Sequence, residues 1–199
     1  MQSRERNIYI SLVIYLLHML QKDNRDRLLE VFFQDPHPQG EGYQLRELSR
    51  MVNIAPLSVK NYLDEFVKEE IIITRRSPVN KFPLYWGNLG NNDFKFLKKQ
   101  YTMKTLVESG LITLLSQKFM ADVILLFGSA SRGEDSRGSD IDLYIQSPEP
   151  KELPNLTKFE SRLRRKINLL IRPNFKKISE ELKNNLLNGV ILFGYLKVF

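Results

Sequence analysis

The chain has 199 residues, of which 42% are hydrophobic and 27% charged, with no cysteine and a formal net charge of +7. That length allows one large domain or two small ones, each with its own core. The lack of cysteine excludes disulfides, thiolate zinc sites and cysteine nucleophiles, which fits a reducing, cytoplasmic setting. The positive charge favours an anionic partner, with nucleic acid or nucleotide the natural candidate.

Residues 7–20, NIYISLVIYLLHML, are the most apolar stretch of the N-terminus and follow Arg4 and Arg6. The run is too short for a spanning helix, and no small-residue cleavage site precedes the charged segment from Lys22 to Arg27. It reads as a buried or dimer-forming helix without membrane contact. His18 has no second ligand near it in sequence and reads as packed; His37, between Pro36 and Pro38, reads as loop.

From Arg25 to Trp86 the spacing predicts three helices and a hairpin. Leu28, Leu29, Val31 and Phe32 mark the first helix, and Leu45, Leu48 and Met51 the second. The third starts at Pro56, whose missing N–H costs little in a first turn, and turns Val59, Leu63, Phe66 and Val67 to the core. Ile71 to Arg75 and Lys81 to Trp86 then pair around Ser77-Pro78-Val79-Asn80. This order resembles a winged helix-turn-helix domain. The resemblance implies DNA contacts from Ser58, Lys60 and Asn61 on the third helix, and from Arg75, Arg76 and Lys81 on the wing. Wing cations meet phosphates, which gives affinity and salt dependence more than sequence information.

Gly87 to Asn92 reads as an interdomain break, giving a first domain over 1–90, a connecting helical segment over 91–120 and a second domain over 121–199. Within the connecting segment Leu106, Val107, Leu111, Leu114 and Leu115 recur at helical spacing, and Gly110 is the expected point of interruption.

Val123 to Phe127 is an apolar run that reads as a strand buried on both faces. Gly128-Ser129 forms a turn after it, Arg132-Gly133 follows, and Ser139 to Ile145 alternates as a second strand. Period two puts Asp140, Asp142 and Tyr144 on one face and Ile141, Leu143 and Ile145 on the other. Two carboxylates held that close repel unless a cation lies between them, so Asp140 and Asp142 read as ligands of Mg²⁺ or Mn²⁺. Gly128 allows close backbone approach to a phosphate. Ser129 offers a hydroxyl and an N–H at a helix start, where the dipole favours anions.

Gly128-Ser129, Arg132-Gly133 and Ser139-Asp140-Ile141-Asp142-Leu143 together resemble the signature of the DNA polymerase β-type nucleotidyltransferases, especially the minimal nucleotidyltransferase domains. The resemblance covers about residues 104–199. It implies an α/β (α+β) fold with a short mixed sheet, Mg²⁺ with an NTP substrate (ATP above the others), and nucleotide contacts from Gly128, Ser129, Arg132 and Ser139. In that family a third carboxylate sits on a later strand; Asn168, in Lys166-Ile167-Asn168-Leu169-Leu170-Ile171, holds its place here. Asn cannot accept a proton; Glu160 or Asp135 could substitute for the carboxylate in space, although neither sits on that strand. Arg162, Arg164, Arg165, Lys166, Arg172, Lys176 and Lys177 concentrate positive charge around this strand, suited to a triphosphate or an acidic co-substrate.

Two functions follow as expectations. One is metal-dependent transfer of an NMP from an NTP to an acceptor hydroxyl. The resemblance implies that a partner protein can supply it, as in toxin–antitoxin pairs where such a domain nucleotidylates a helical nuclease. The other is a DNA-binding regulator whose nucleotidyltransferase domain has lost catalysis, as Asn168 suggests, and keeps nucleotide binding or only homodimerisation.

Overall fold

A computed structural model of the chain describes residues 23–36, 42–148, 152–175 and 178–198. The apolar run with His18, together with His37, Lys176 and Lys177, lies outside the described residues.

Helix α1 (Asn24–Gln34) begins where the Asp23 side chain accepts from the amide of Arg25, and it buries Leu28, Leu29, Phe32 and Phe33. Strand β1 (Tyr43–Gln44) runs directly into α2 (Leu45–Val52), where the Glu47 carboxylate accepts from the Gln44 amide at 3.3 Å. Helix α3 (Pro56–Lys68) has its proline in the first turn and buries Val59, Leu63 and Phe66. Strands β2 (Ile72–Arg76) and β3 (Pro83–Gly87) form an antiparallel hairpin, and β1 adds to β3 to give the order β1-β3-β2. The helices and this sheet share one apolar core around Phe32, Leu48, Leu63, Phe66 and Tyr85. Met51 differs from its expected core position: it is 53% exposed. On so short a helix the buried stripe follows Leu45, Leu48 and Val52, spaced three and four apart, and Met51 falls beside it.

The Asn91 side chain caps α4 (Asn92–Glu108), accepting from the amides of Asp93 and Phe94 at 2.7 and 3.0 Å. Gly110, at φ +81°, turns the chain into α5 (Leu111–Phe119). The second sheet has the order β6-β5-β4-β7, from β4 (Val123–Phe127), β5 (Ile141–Gln146), β6 (Ile167–Arg172) and β7 (Val190–Gly194). It is mixed, since β4 runs antiparallel to β5 and β7 while β5 and β6 are parallel.

Both faces of β4 are covered, which explains its unbroken apolar sequence. Ile124 and Leu126 pack with Ile141, Leu143 and Ile145 against Leu106, Leu111 and Leu115 of α4 and α5. Val123, Leu125 and Tyr144 pack on the other side against Phe175, Ile178 and Leu186, the last from α8 (Glu180–Leu187). Tyr144 therefore continues the face of Asp140 and Asp142 into the core, and burial pushes its phenol up to about 12. Two short helices complete the unit: α6 (Gly128–Arg132) between β4 and β5, and α7 (Thr157–Leu163) before β6.

Gly133 ends α6 at φ +69°, and a Cβ there would stand 2.1 Å from the backbone oxygen of Lys95. The turn after α6 can close on α4 only because that Cβ is missing. Gly110 has nothing within 4 Å of such an atom. In urea titrations Gly133→Ala should lower unfolding free energy by about 2–4 kcal/mol, and Gly110→Ala by about 1 kcal/mol from backbone strain alone.

Candidate functional site

The site forms where the ends of three neighbouring strands meet. Phe127, the last residue of β4, stands opposite Asp142 of β5, and Asp142 stands opposite Asn168 of β6. Gly128 then leaves the sheet at φ +72°, and a Cβ on it would lie 2.6 Å from Asp142 Oδ2. Sequence reasoning assigned this glycine to phosphate approach; the structure adds that Asp142 needs the same space. Ser129 follows in the first turn of α6, and the Ser131 hydroxyl fixes that turn by donating to the Gly128 carbonyl at 2.8 Å.

Asn168 is central to the arrangement. Its Nδ2 donates to Asp140 Oδ2 at 3.0 Å and to Asp142 Oδ1 at 3.0 Å. The amide orientation follows from charge: turned over, its oxygen would face two carboxylate oxygens with no proton between them. The two aspartates thus converge on a single point, and a neutral donor stands where the sequence led us to expect a cation. Among the described residues no three His, Cys, Asp or Glu side chains cluster as a metal site. Two carboxylates are nonetheless enough for one Mg²⁺ shared with substrate phosphates, provided the Asn168 amide rotates to present its oxygen.

Neither Glu160 nor Asp135 replaces the missing third carboxylate. Glu160 Oε1 accepts from the Ile167 amide at 3.1 Å, at the foot of β6. Asp135 is 3% exposed, and its Oδ2 accepts from Lys98 Nζ at 2.6 Å and Arg165 Nη1 at 2.7 Å. Arg165 also donates from Nε to the Ser139 carbonyl at 2.8 Å and from Nη2 to the Asp140 carbonyl at 2.9 Å. Lys98, buried on α4, donates in addition to the Phe33 carbonyl of α1 at 2.8 Å. Burial pushes the Lys98 ammonium down and Asp135 opposes it. Sequence reasoning did not single out Lys98; its spacing four residues from Phe94 and from Thr102, both buried, was the available signal.

The remaining candidates divide. Arg132 is exposed and turned to Glu134 at 2.8 Å, which holds that carboxyl below the usual carboxylate range. The Ser139 hydroxyl accepts from the Ser136 amide at 3.0 Å and so shapes the loop before Asp140. Ser58, Lys60, Asn61, Arg75, Arg76 and Lys81 all belong to the N-terminal unit. There Lys60 stands 3.4 Å from Asp64, and Lys81 Nζ donates to the Pro78 carbonyl at 3.2 Å. Arg75 and Arg76 are exposed on β2.

With this geometry in hand, the family comparison is informative. Residues 109–194 match the model of a nucleotidyltransferase domain. The mixed sheet and its helices are consistent with the fold of that domain, and the match spans α5 through β7, including Gly128, Asp140, Asp142 and Asn168. No curated protein and no solved structure matches the chain. Among the described residues no helix is long and apolar enough to cross a membrane.

Gly128→Ala is the most direct local test of this nucleotidyltransferase geometry. It should displace the Asp142 carboxylate and weaken binding of Mg²⁺ with nucleotide at least roughly tenfold. Isothermal titration calorimetry checks this, with circular dichroism to establish that the variant is folded.

Proposed function

We propose that the second domain binds an NTP with a divalent cation and transfers its nucleotidyl group to an acceptor hydroxyl. The observation that carries this reading is the convergence of Asp140 and Asp142 on one point beside the Gly128-Ser129 turn. Mg²⁺ is the proposed cation and ATP the first nucleotide to test. Asp140 and Asp142 would hold the cation, which supplies neutralisation of phosphate charge as the leaving group departs. The Gly128 and Ser129 backbone would receive the β- and γ-phosphates. The acceptor oxygen attacks the α-phosphorus in line, the new P–O bond forms, the bond to the bridging oxygen breaks, and pyrophosphate leaves. The hydroxyl proton passes to water, because Asn168 has no basic atom to receive it.

A partner protein is the acceptor class we favour, in keeping with the resemblance to minimal nucleotidyltransferase domains, whose small size leaves little room for an acceptor pocket of their own. Incubation with Mg²⁺, each labelled NTP and a lysate of the host should place label on a macromolecule with the wild type and on none with Asp142→Ala.

One observation favours a second reading. The Asn168 amide donates to both carboxylates, and Asn168 has no basic atom to take the acceptor's proton. In that reading the protein is a DNA-binding regulator whose nucleotidyltransferase domain only binds nucleotide. Asn168→Asp separates the two: transfer that appears only in this variant identifies a degenerate enzyme, and transfer already present in the wild type supports the first reading.

For the N-terminal unit we propose a winged-helix role. The order α1-β1-α2-α3-β2-β3 and the exposed Arg75 and Arg76 at the hairpin support it. Charge limits its strength, because residues 23–90 hold nine Lys and Arg against ten Asp and Glu. Arg75→Ala with Arg76→Ala should reduce the slope of log K against log salt by about 2 in a DNA-binding titration. An unchanged slope removes the wing from the interface.

A further inference from the structure

The loop from Glu134 to Asp140 carries one of the two convergent carboxylates, yet its sequence, EDSRGSD, holds no apolar side chain. Its outer side borders a cavity of about 660 Å³ whose lining includes Asp35, Tyr43, Tyr101, Ser136, Arg137 and Arg165. What crosses the loop is a set of buried charges. Asp135 Oδ2 is shared by Lys98 at 2.6 Å and Arg165 at 2.7 Å, while its Oδ1 has no hydrogen-bond partner among the described residues. The carboxylate therefore rests entirely on two cations that come from opposite directions. Lys98 arrives from α4 and is tied at the same time to the Phe33 carbonyl at the end of α1. Arg165 arrives from the turn before β6 and holds the carbonyls of Ser139 and Asp140.

From this geometry we infer that Asp135 is a positioning residue for the Asp140–Asp142 pair, and that through Lys98 the N-terminal helices set the register of the site. The inference rests on the reading of that pair as the nucleotide-binding centre. Breaking a buried pair on one side leaves an uncompensated charge, so the remaining partners must move. If Lys98 withdraws, Asp135 follows Arg165 alone, and Arg165 is the group that fixes the backbone on which Asp140 stands. A displacement of α1 relative to α4 thereby reaches the carboxylates through four groups: the Phe33 carbonyl, the Lys98 ammonium, the Asp135 carboxylate and the Arg165 guanidinium. A ligand that shifts the N-terminal unit would change nucleotide affinity, and nucleotide would change affinity for that ligand by the same factor.

The test uses the full chain with Lys98→Met, which keeps the length of the side chain, and Arg165→Lys, which keeps the charge but loses the planar fork. Lys104→Met, on an exposed turn of the same helix, is the control. Hydrogen exchange over residues 136–142 is measured without ligand, and Mg²⁺·ATP affinity by calorimetry. Lys98→Met should speed exchange of the Ser136, Ser139 and Ile141 amides at least about tenfold, leave the β2–β3 hairpin at wild-type protection, and weaken nucleotide binding in parallel. Arg165→Lys should loosen Ser139 and Ile141 while retaining part of the affinity. Exchange at wild-type rates in either folded variant overturns the inference. If Lys98→Met fails to fold, the Arg165→Lys arm decides alone. Should the wild type bind no nucleotide, the functional reading fails, while the exchange data still decide whether Asp135 positions the loop.

Discussion

Like-charge repulsion between Asp140 and Asp142 is the constraint on which the rest of the second domain depends. Period two through β5 puts both carboxylates on one face, and both accept from the same nitrogen of Asn168 at 3.0 Å. Three devices offset the cost. The Asn168 amide donates to both, the glycine at 128 makes room for one of them, and Arg165 holds the backbone carbonyl of the other. Parallel pairing with β6 is what delivers Asn168 opposite Asp142. The surrounding layers of α4, α5 and α8 keep the strands in that register through two separate apolar cores.

The same pattern of offset charge extends toward the N-terminal unit. A lysine that is 1% exposed is uncommon in a globular protein and is retained only when its charge is met. Lys98 meets both Asp135 and the end of α1. The two units are therefore joined by a polar tie at the loop before Asp140 as well as by chain connectivity. The overall excess of positive charge lies in the second unit, where residues 91–199 hold eighteen Lys and Arg against twelve Asp and Glu. In the first unit Asp64, Glu65, Glu69 and Glu70 are exposed and offset its positive charge.

Much of this was legible in the sequence because it follows from local rules. The apolar run of β4, the alternation of β5, Pro56 at a helix start and the turn at Gly110 each follow from backbone or side-chain periodicity. That Asn168 stands where a third carboxylate would be expected came from the family resemblance. The role of Asn168 as a bridge could not be read, because it depends on the parallel register of β5 and β6. The mutual pairing of Lys98, Asp135 and Arg165 escaped for the same reason: the nearest two are 30 residues apart in sequence, and only the fold brings them together. Met51 misled because a two-turn helix offers two candidate stripes, and the choice between them is made by packing.

The central claim is that Asp140 and Asp142 form a cation-dependent nucleotide centre against the Gly128-Ser129 turn. Its most direct test is paramagnetic broadening of backbone amide resonances on titration of Mn²⁺ in the presence of a non-hydrolysable ATP analogue. The account predicts that Gly128, Ser129, Ile141, Asp142 and Asn168 broaden first and together, and that they stay sharp with Mn²⁺ in Asp142→Ala. Broadening that begins elsewhere, or that is the same in Asp142→Ala, would contradict it.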